Sequence, residues 1–165
     1  MPRNALPIVQ PGAPVMPRAI ASRLGVLLNE VAAVCRIRSE GVMRAHGLRP
    51  RQFLLLAVLR DEGGTSQQAL GQRLSMDRTS TMQAVQALAD MGLVVREDDP
   101  ADRRVYRVSL TERGGSVLDV VERELAEVEA QILAPLPETA GGDFVSQLRA
   151  ILEGERLRCA GAHEA

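Results

Sequence analysis

Lysine and tryptophan are absent from the 165 residues, and the aromatic side chains are Phe53, Tyr106 and Phe144 alone. Without lysine, every cation other than histidine is a guanidinium, a planar and permanently charged fork suited to phosphate and to guanine edges. A genome biased toward arginine codons explains the same pattern. Three aromatics cannot build a stacking platform for single-stranded nucleic acid, which lays successive bases on ring faces. Cys35 and Cys159 stand far apart, as do His46 and His163, so neither a disulfide framework nor a metal cluster is expected. No apolar run reaches the roughly 18 residues of a membrane-spanning helix. Pro2, Pro7, Pro11, Pro14 and Pro17 interrupt the first segment, where a signal peptide would carry its apolar core. A cytoplasmic protein with a short disordered leader is expected. No phosphate loop, dinucleotide-binding glycine run or nucleophile–base pair occurs at a recognisable spacing, so neither catalysis nor a cofactor is expected.

What is present is an ordinary globular balance, 45% hydrophobic and 25% charged. The net charge of −1 announces no global basic field, so nucleic-acid binding would rest on local placement. Ile20, Leu24, Leu27, Val31 and Cys35 recur at three- and four-residue steps, one stripe of an amphipathic helix from about Ala19 to Ala45. Pro50 suits the first turn of a second helix, because it lacks an N–H that would go unpaired there. Phe53, Leu54, Leu55, Leu56, Val58 and Leu59 are apolar nearly all round, so that helix is expected to be buried, ending at Gly63-Gly64. Thr65 or Ser66 caps a third helix reaching Leu74, and Asp77 caps a fourth that ends at Gly92. Two short helices across the turn Ser75-Met76-Asp77 form a helix-turn-helix. A strand at Leu93–Arg96, turn residues, and alternating Tyr106, Val108 and Leu110 follow as a hairpin, the wing of a winged helix. Thr111 caps a long fifth helix with a seam of Val117, Val121, Leu125, Val128 and Ile132, broken by Pro135 and Pro137. A last helix carries Phe144, Leu148 and Leu152.

On the fourth helix, Met82, Val85, Leu88 and Ala89 share one face and are expected to pack inward. Thr79, Ser80, Gln83, Gln86 and Ala87 lie opposite. A helix entering a major groove needs such a face, since small residues allow close approach and hydroxyls and amides read base edges. Arg78 at the first turn is placed to reach a phosphate or a guanine. A plain solvated face is the alternative, yet such faces elsewhere in this chain carry arginine and glutamate. At the hairpin tip, Arg103 and Arg104 suit a minor groove, whose negative potential attracts guanidinium groups. Asp102 would repel phosphate unless an ion pair to Arg104 occupies it. Read alone, that tip is an ordinary charged turn.

The segment Gln67–Gly114 resembles MarR-type regulators. The marks are Gln67-Gln68-Ala69-Leu70, Asp77-Arg78-Thr79-Ser80, Gly92-Leu93-Val94-Val95-Arg96, Asp99-Pro100-Ala101-Asp102-Arg103-Arg104 and Leu110-Thr111-Glu112-Arg113-Gly114. The flanking helices extend the resemblance over about residues 19–155. Gly71 departs from it, standing where the family usually has alanine. The fold class expected is mainly α (α+β), a winged helix-turn-helix core whose N- and C-terminal helices form a dimerisation region. Residues 1–18 are the leader, 19–158 the MarR-type domain and 159–165 a flexible tail. Within the domain, 48–110 form the DNA-binding lobe, and 19–46 with 111–158 the dimerisation helices. The resemblance implies a homodimer on a pseudo-palindromic double-stranded operator, and a repressor relieved by a small, often aromatic, effector. Ser66, Gln67, Arg78, Thr79, Ser80, Gln83, Gln86, Asp102, Arg103 and Arg104 are the DNA-binding candidates.

Two alternatives stand beside that reading. Between Gln67 and Arg107 six arginines face six acids, a near-neutral balance that also fits a winged-helix module for dimerisation or protein interaction. Some relatives sense peroxide through a cysteine near the start of the first helix, but Gly25 occupies roughly that place. Cys35 lies mid-helix on the apolar stripe, where a core thiol is expected instead of a reactive one. His46 is expected to be a surface residue before a turn.

Overall fold

The computed structural model describes residues 22–98, 106–137 and 141–161. In chain order they form α1 (Leu24–Ala45), α2 (Pro50–Glu62), β1 (Thr65–Ser66), α3 (Gln67–Arg73), α4 (Arg78–Asp90), β2 (Val94–Asp98), β3 (Tyr106–Leu110), α5 (Glu112–Leu133) and α6 (Gly141–Gly161). Helix dominates, with one antiparallel sheet of strand order β1-β3-β2. The chain divides into two compact units, Met1–Ala126 and Glu127–Ala165.

In the first unit, Leu55, Leu56 and Leu59 of α2 meet Leu70 of α3, Val85 and Leu88 of α4, and Val94 and Val108 of the hairpin; Leu118 and Val121 of α5, with Met43, Leu48 and Leu93, complete the cluster. The helix ends are set by local chemistry. Gln52 Oε1 accepts from the Arg49 amide at 2.8 Å, closing the first turn of α2 behind Pro50. At the end of α4 the Leu93 amide donates to the Leu88 carbonyl and the Gly92 amide to that of Ala89, both at 2.9 Å. That Schellman closure requires a left-handed residue, and Gly92 supplies it at φ +70°. Leu93 is thereby turned into the core and the chain is aimed into β2.

The sheet corrects the hairpin in two respects. β2 runs on to Asp98, paired with Tyr106, so Glu97 and Asp98 belong to the strand and not to the turn. Thr65 and Ser66 form a third strand against Val108 and Arg107. Two residues carry no periodicity, so a sequence displays only their capping chemistry.

Three side chains expected inside lie outside or at the margin. Leu54 is exposed, because the face of α2 turned to the core carries Gln52, Leu55, Leu56 and Leu59, with Phe53 and Val58 at its margins. Met82 is 50% exposed. Thr81 takes the inward place on α4, its hydroxyl satisfied by the Asp77 carbonyl at 2.9 Å, and the buried stripe becomes Thr81, Val85 and Leu88. Cys35 is half-buried and not part of the core cluster. Its stripe on α1 lies uncovered in the protomer, with Leu24, Leu27 and Val31 at 65%, 50% and 44% exposure.

Polar ties join the α2 region to α5. Arg60 bonds Glu122 through both guanidinium ends and reaches Asp119 at 3.3 Å. The Glu122 hydrogen bond raises the Arg60 pKa further above its ordinary value. These groups are solvent-screened, so the pair contributes little stability. His46, half-buried between α1 and α2, places Nε2 3.0 Å from Glu124 Oε2. The residue expected at the surface before a turn is thereby tied to α5.

In the second unit, α6 keeps Phe144 and Leu148 half-buried and leaves Val145, Ile151 and Leu152 exposed.

Candidate nucleic-acid interface

The angle between α3 and α4 comes from a three-residue turn. Ser75 adopts φ +50°, and the Met76 amide donates to the Gly71 carbonyl at 2.8 Å. Gly71 is buried where the two helices approach. A Cβ there would lie 2.9 Å from Thr81 Oγ1 and 3.1 Å from the Met76 carbonyl oxygen. The glycine that departs from the family pattern thus stands at a close contact between the two helices, at the cost of a lower helix propensity.

Both helices of the pair begin with a side-chain cap. Ser66 Oγ accepts from the Ala69 amide at 3.2 Å. Asp77 Oδ1 accepts from the Ser80 amide at 2.8 Å, and Oδ2 from the Ser80 hydroxyl at 2.5 Å. The Ser80 hydroxyl, then its amide, hold the Asp77 carboxyl below the ordinary carboxylate range. A depressed folded-state value means that the charged cap stabilises above the unfolded value, near pH 4, and is lost as pH falls through the lower folded value. Asp77→Ala is expected to lower the thermal midpoint at neutral pH, and Asp77→Asn to recover much of the difference, because an amide oxygen also caps. The gap between the parent and Asp77→Asn should close as pH drops below about 4, read by melting curves across pH. A gap that widened on acidification would contradict the assignment.

The outward face of α4 presents Arg78, Thr79 and Gln83, all exposed, with Ser80 half-buried beside them. Ser80 has committed its proton to Asp77, so toward a ligand its hydroxyl acts as an acceptor. Gln86 is exposed but engaged at both ends of its amide. Oε1 accepts from Arg96 Nη1 at 2.9 Å, and Nε2 donates to Asp90 Oδ1 at 2.7 Å.

Two grooves flank this face. One, of about 630 Å³, is lined by Ser66, Gln67, Gln68 and Gln72 of the β1–α3 segment, by Arg78 and by Tyr106. The other, of about 780 Å³, runs between the start of α2 and α4, lined by Arg49 and Arg51 on one wall and Ser80, Gln83 and Ala87 on the other. Ser66, Gln67, Arg78, Ser80 and Gln83 therefore line the two grooves, and Thr79 is exposed beside Arg78 and Ser80 on α4. Asp102, Arg103 and Arg104 lie outside the described residues.

Three further side chains belong to this surface that sequence reasoning misses. Tyr106 falls among the alternating apolar positions of its strand, yet it is 58% exposed and lines the first groove. The alternation is visible in the sequence, but the approach of that strand to α3 is not. Arg49 and Arg51 give no signal, since they join this surface only through the packing of α2 on α4.

Comparison with known proteins agrees with the geometry. Residues 46–105 match the sequence model of the MarR family. A putative transcriptional regulatory protein for the hcr operon of Thauera aromatica is 29% identical over 133 residues, covering 79% of this chain and 80% of that protein. The HTH-type transcriptional repressor NicR of Pseudomonas putida is 36% identical over 80 residues, 47% of this chain and 51% of NicR. Among solved structures, a MarR transcriptional regulator from Methanosarcina mazei Go1 superposes with a TM-score of 0.67 at 27% identity, covering 79% of this chain and 94% of the other. With its helix-turn-helix, its hairpin wing and these relatives, the chain is similar to the winged-helix transcriptional regulators of the MarR family.

Proposed function

We propose that the protein is a cytoplasmic repressor that binds a pseudo-palindromic double-stranded operator as a homodimer, and that a small aromatic effector releases it. The reading assigns a binding role without catalysis, metal or cofactor. The observation that carries it is the outward face of α4, where the exposed Arg78, Thr79 and Gln83 project between the two grooves. Gln83 has the amide that pairs bidentately with adenine, Arg78 the fork that suits phosphate or guanine, and Ser66 and Gln67 sit where backbone would pass. Asp102, Arg103 and Arg104, expected at the wing tip, are assigned to extend the footprint to the minor groove. The relationship to NicR, a repressor, supports the direction of regulation.

A footprint on the DNA flanking the protein's own gene tests the reading and yields the operator. On that fragment, Gln83→Ala is expected to lose discrimination among single-base operator variants, by roughly 1–3 kcal/mol at the base it reads. Titration by fluorescence anisotropy reads this directly. Equal weakening across all variants would assign Gln83 to the backbone instead.

A further inference from the structure

We propose that Arg96 and Gln86 form a strut between wing and recognition helix, so that Gln86 positions the reading surface and does not itself read bases. This rests on the DNA-binding interpretation above. Bidentate reading of an adenine needs both the oxygen and the nitrogen of one amide. In Gln86 both are occupied, by Arg96 Nη1 and by Asp90 Oδ1. Gln83, one turn earlier, makes no side-chain hydrogen bond among the described residues. The two glutamines share the outward half of α4, but only Gln83 can turn its amide onto a base without breaking a contact within the protein.

The other end of the strut is in the wing. Along β2, Val94 is buried, Val95 exposed, Arg96 half-buried and Glu97 exposed. Arg96 therefore stands on the face turned toward α4, as the two-residue period requires. Its Nη1 reaches Gln86, while Nε and Nη2 are buried with no hydrogen-bond partner among the described residues. A half-satisfied buried guanidinium is a poor way to stabilise a fold, because its unpaired N–H groups lose water and gain nothing. An apolar chain of similar length would pack there at lower cost. What a methionine would not supply is a planar donor at a fixed distance and angle from the helix. The guanidinium thus spans the junction at which β2 is keyed to α4, and it fixes where the rest of the hairpin points.

A strut and a mere packing residue differ in sign. The full-length protein and the operator fragment protected in the footprint are used throughout. Arg96→Met is expected to keep the thermal midpoint or raise it by about 2–4 °C. The same variant should bind operator about 10-fold more weakly, and equally so across single-base operator variants. Gln86→Leu should show the same uniform loss, and the double variant should be no weaker than either single, since both remove one link. A midpoint and an affinity that fall together would reduce Arg96 to packing. A changed ranking of operator variants by Gln86→Leu would make Gln86 a base reader, and additive losses would deny the link; each result overturns the proposal. Gln83→Ala separates the layers. If it loses discrimination while the strut variants bind normally, the strut alone is refuted; if none of the variants alters DNA binding, the DNA-reading surface is refuted with it.

Discussion

Gly114→Ala is expected to unfold the protein at temperatures where the parent is stable, while Gly115→Ala one residue later is tolerated. Both glycines lie in the first turns of α5, where alanine is ordinarily the better residue by about 0.5–1 kcal/mol. Their surroundings differ. A Cβ on Gly114 would overlap the Leu93 carbonyl oxygen and come within 2.9 Å of Leu110 Cδ1, whereas one on Gly115 meets only Leu110 Cδ2, at 3.9 Å. The Leu93 carbonyl has no room to yield. It accepts the Thr111 amide at 3.1 Å, and Thr111 in turn caps α5 through the Gly114 amide at 2.9 Å and donates its hydroxyl to the Gly92 carbonyl at 2.8 Å. Shifting α5 outward would break this set of bonds together and lift Leu118 and Val121 from the core. The expected loss is roughly 3 kcal/mol or more, the upper end for overpacking, because backbone and not a flexible side chain must move. At about 2–4 °C per kcal/mol the midpoint should fall by about 10 °C, against no change or a small rise for Gly115→Ala. Melting curves on the two variants decide it. Equal midpoints would show that α5 can tilt at its start without loss.

The same junction shows what a sequence displays and what it hides. Caps, helix stops and the hairpin were legible because each is local: Ser66, Asp77, Thr111 and Gly92 act on groups a few residues away. The helix-turn-helix followed from these in order. Contacts between elements were not legible. Gln86 and Arg96 are ten residues apart on a helix and a strand, and no spacing rule joins them. A helical wheel therefore groups Gln86 with Gln83 as equivalent readers. Met82 and Thr81 exchange places for a related reason. Hydrophobicity puts methionine inside, but a threonine that satisfies its hydroxyl on its own helix can be buried as readily. Arg49 and Arg51 join the candidate interface through the docking of α2 alone, which composition does not record.

The second large effect concerns α1. Its apolar stripe of Leu24, Leu27 and Val31, at steps of three and four, projects to solvent in the protomer. A helix forms such a stripe in order to bury it, and each leucine left in water forgoes roughly 1.5–3 kcal/mol. The homodimer proposed above would supply the cover, with Leu27 at the middle of the stripe. A two-fold interface presents each residue twice, so one substitution introduces two carboxylates. Leu27→Asp is therefore expected to leave the protomer folded, since Leu27 is 50% exposed and belongs to no buried cluster. Its circular dichroism should match the parent, while sedimentation at micromolar concentration should fall from twice 17.8 kDa to 17.8 kDa. Operator affinity should drop by about 100-fold or more, because the second half-site is no longer held at high local concentration. Asn29 supplies the control for added charge on the same helix. It is exposed and off the stripe, so Asn29→Asp should leave both mass and affinity unchanged. If Leu27→Asp sediments as a dimer with full operator affinity, α1 does not hold the two copies together, and the exposed stripe serves another contact.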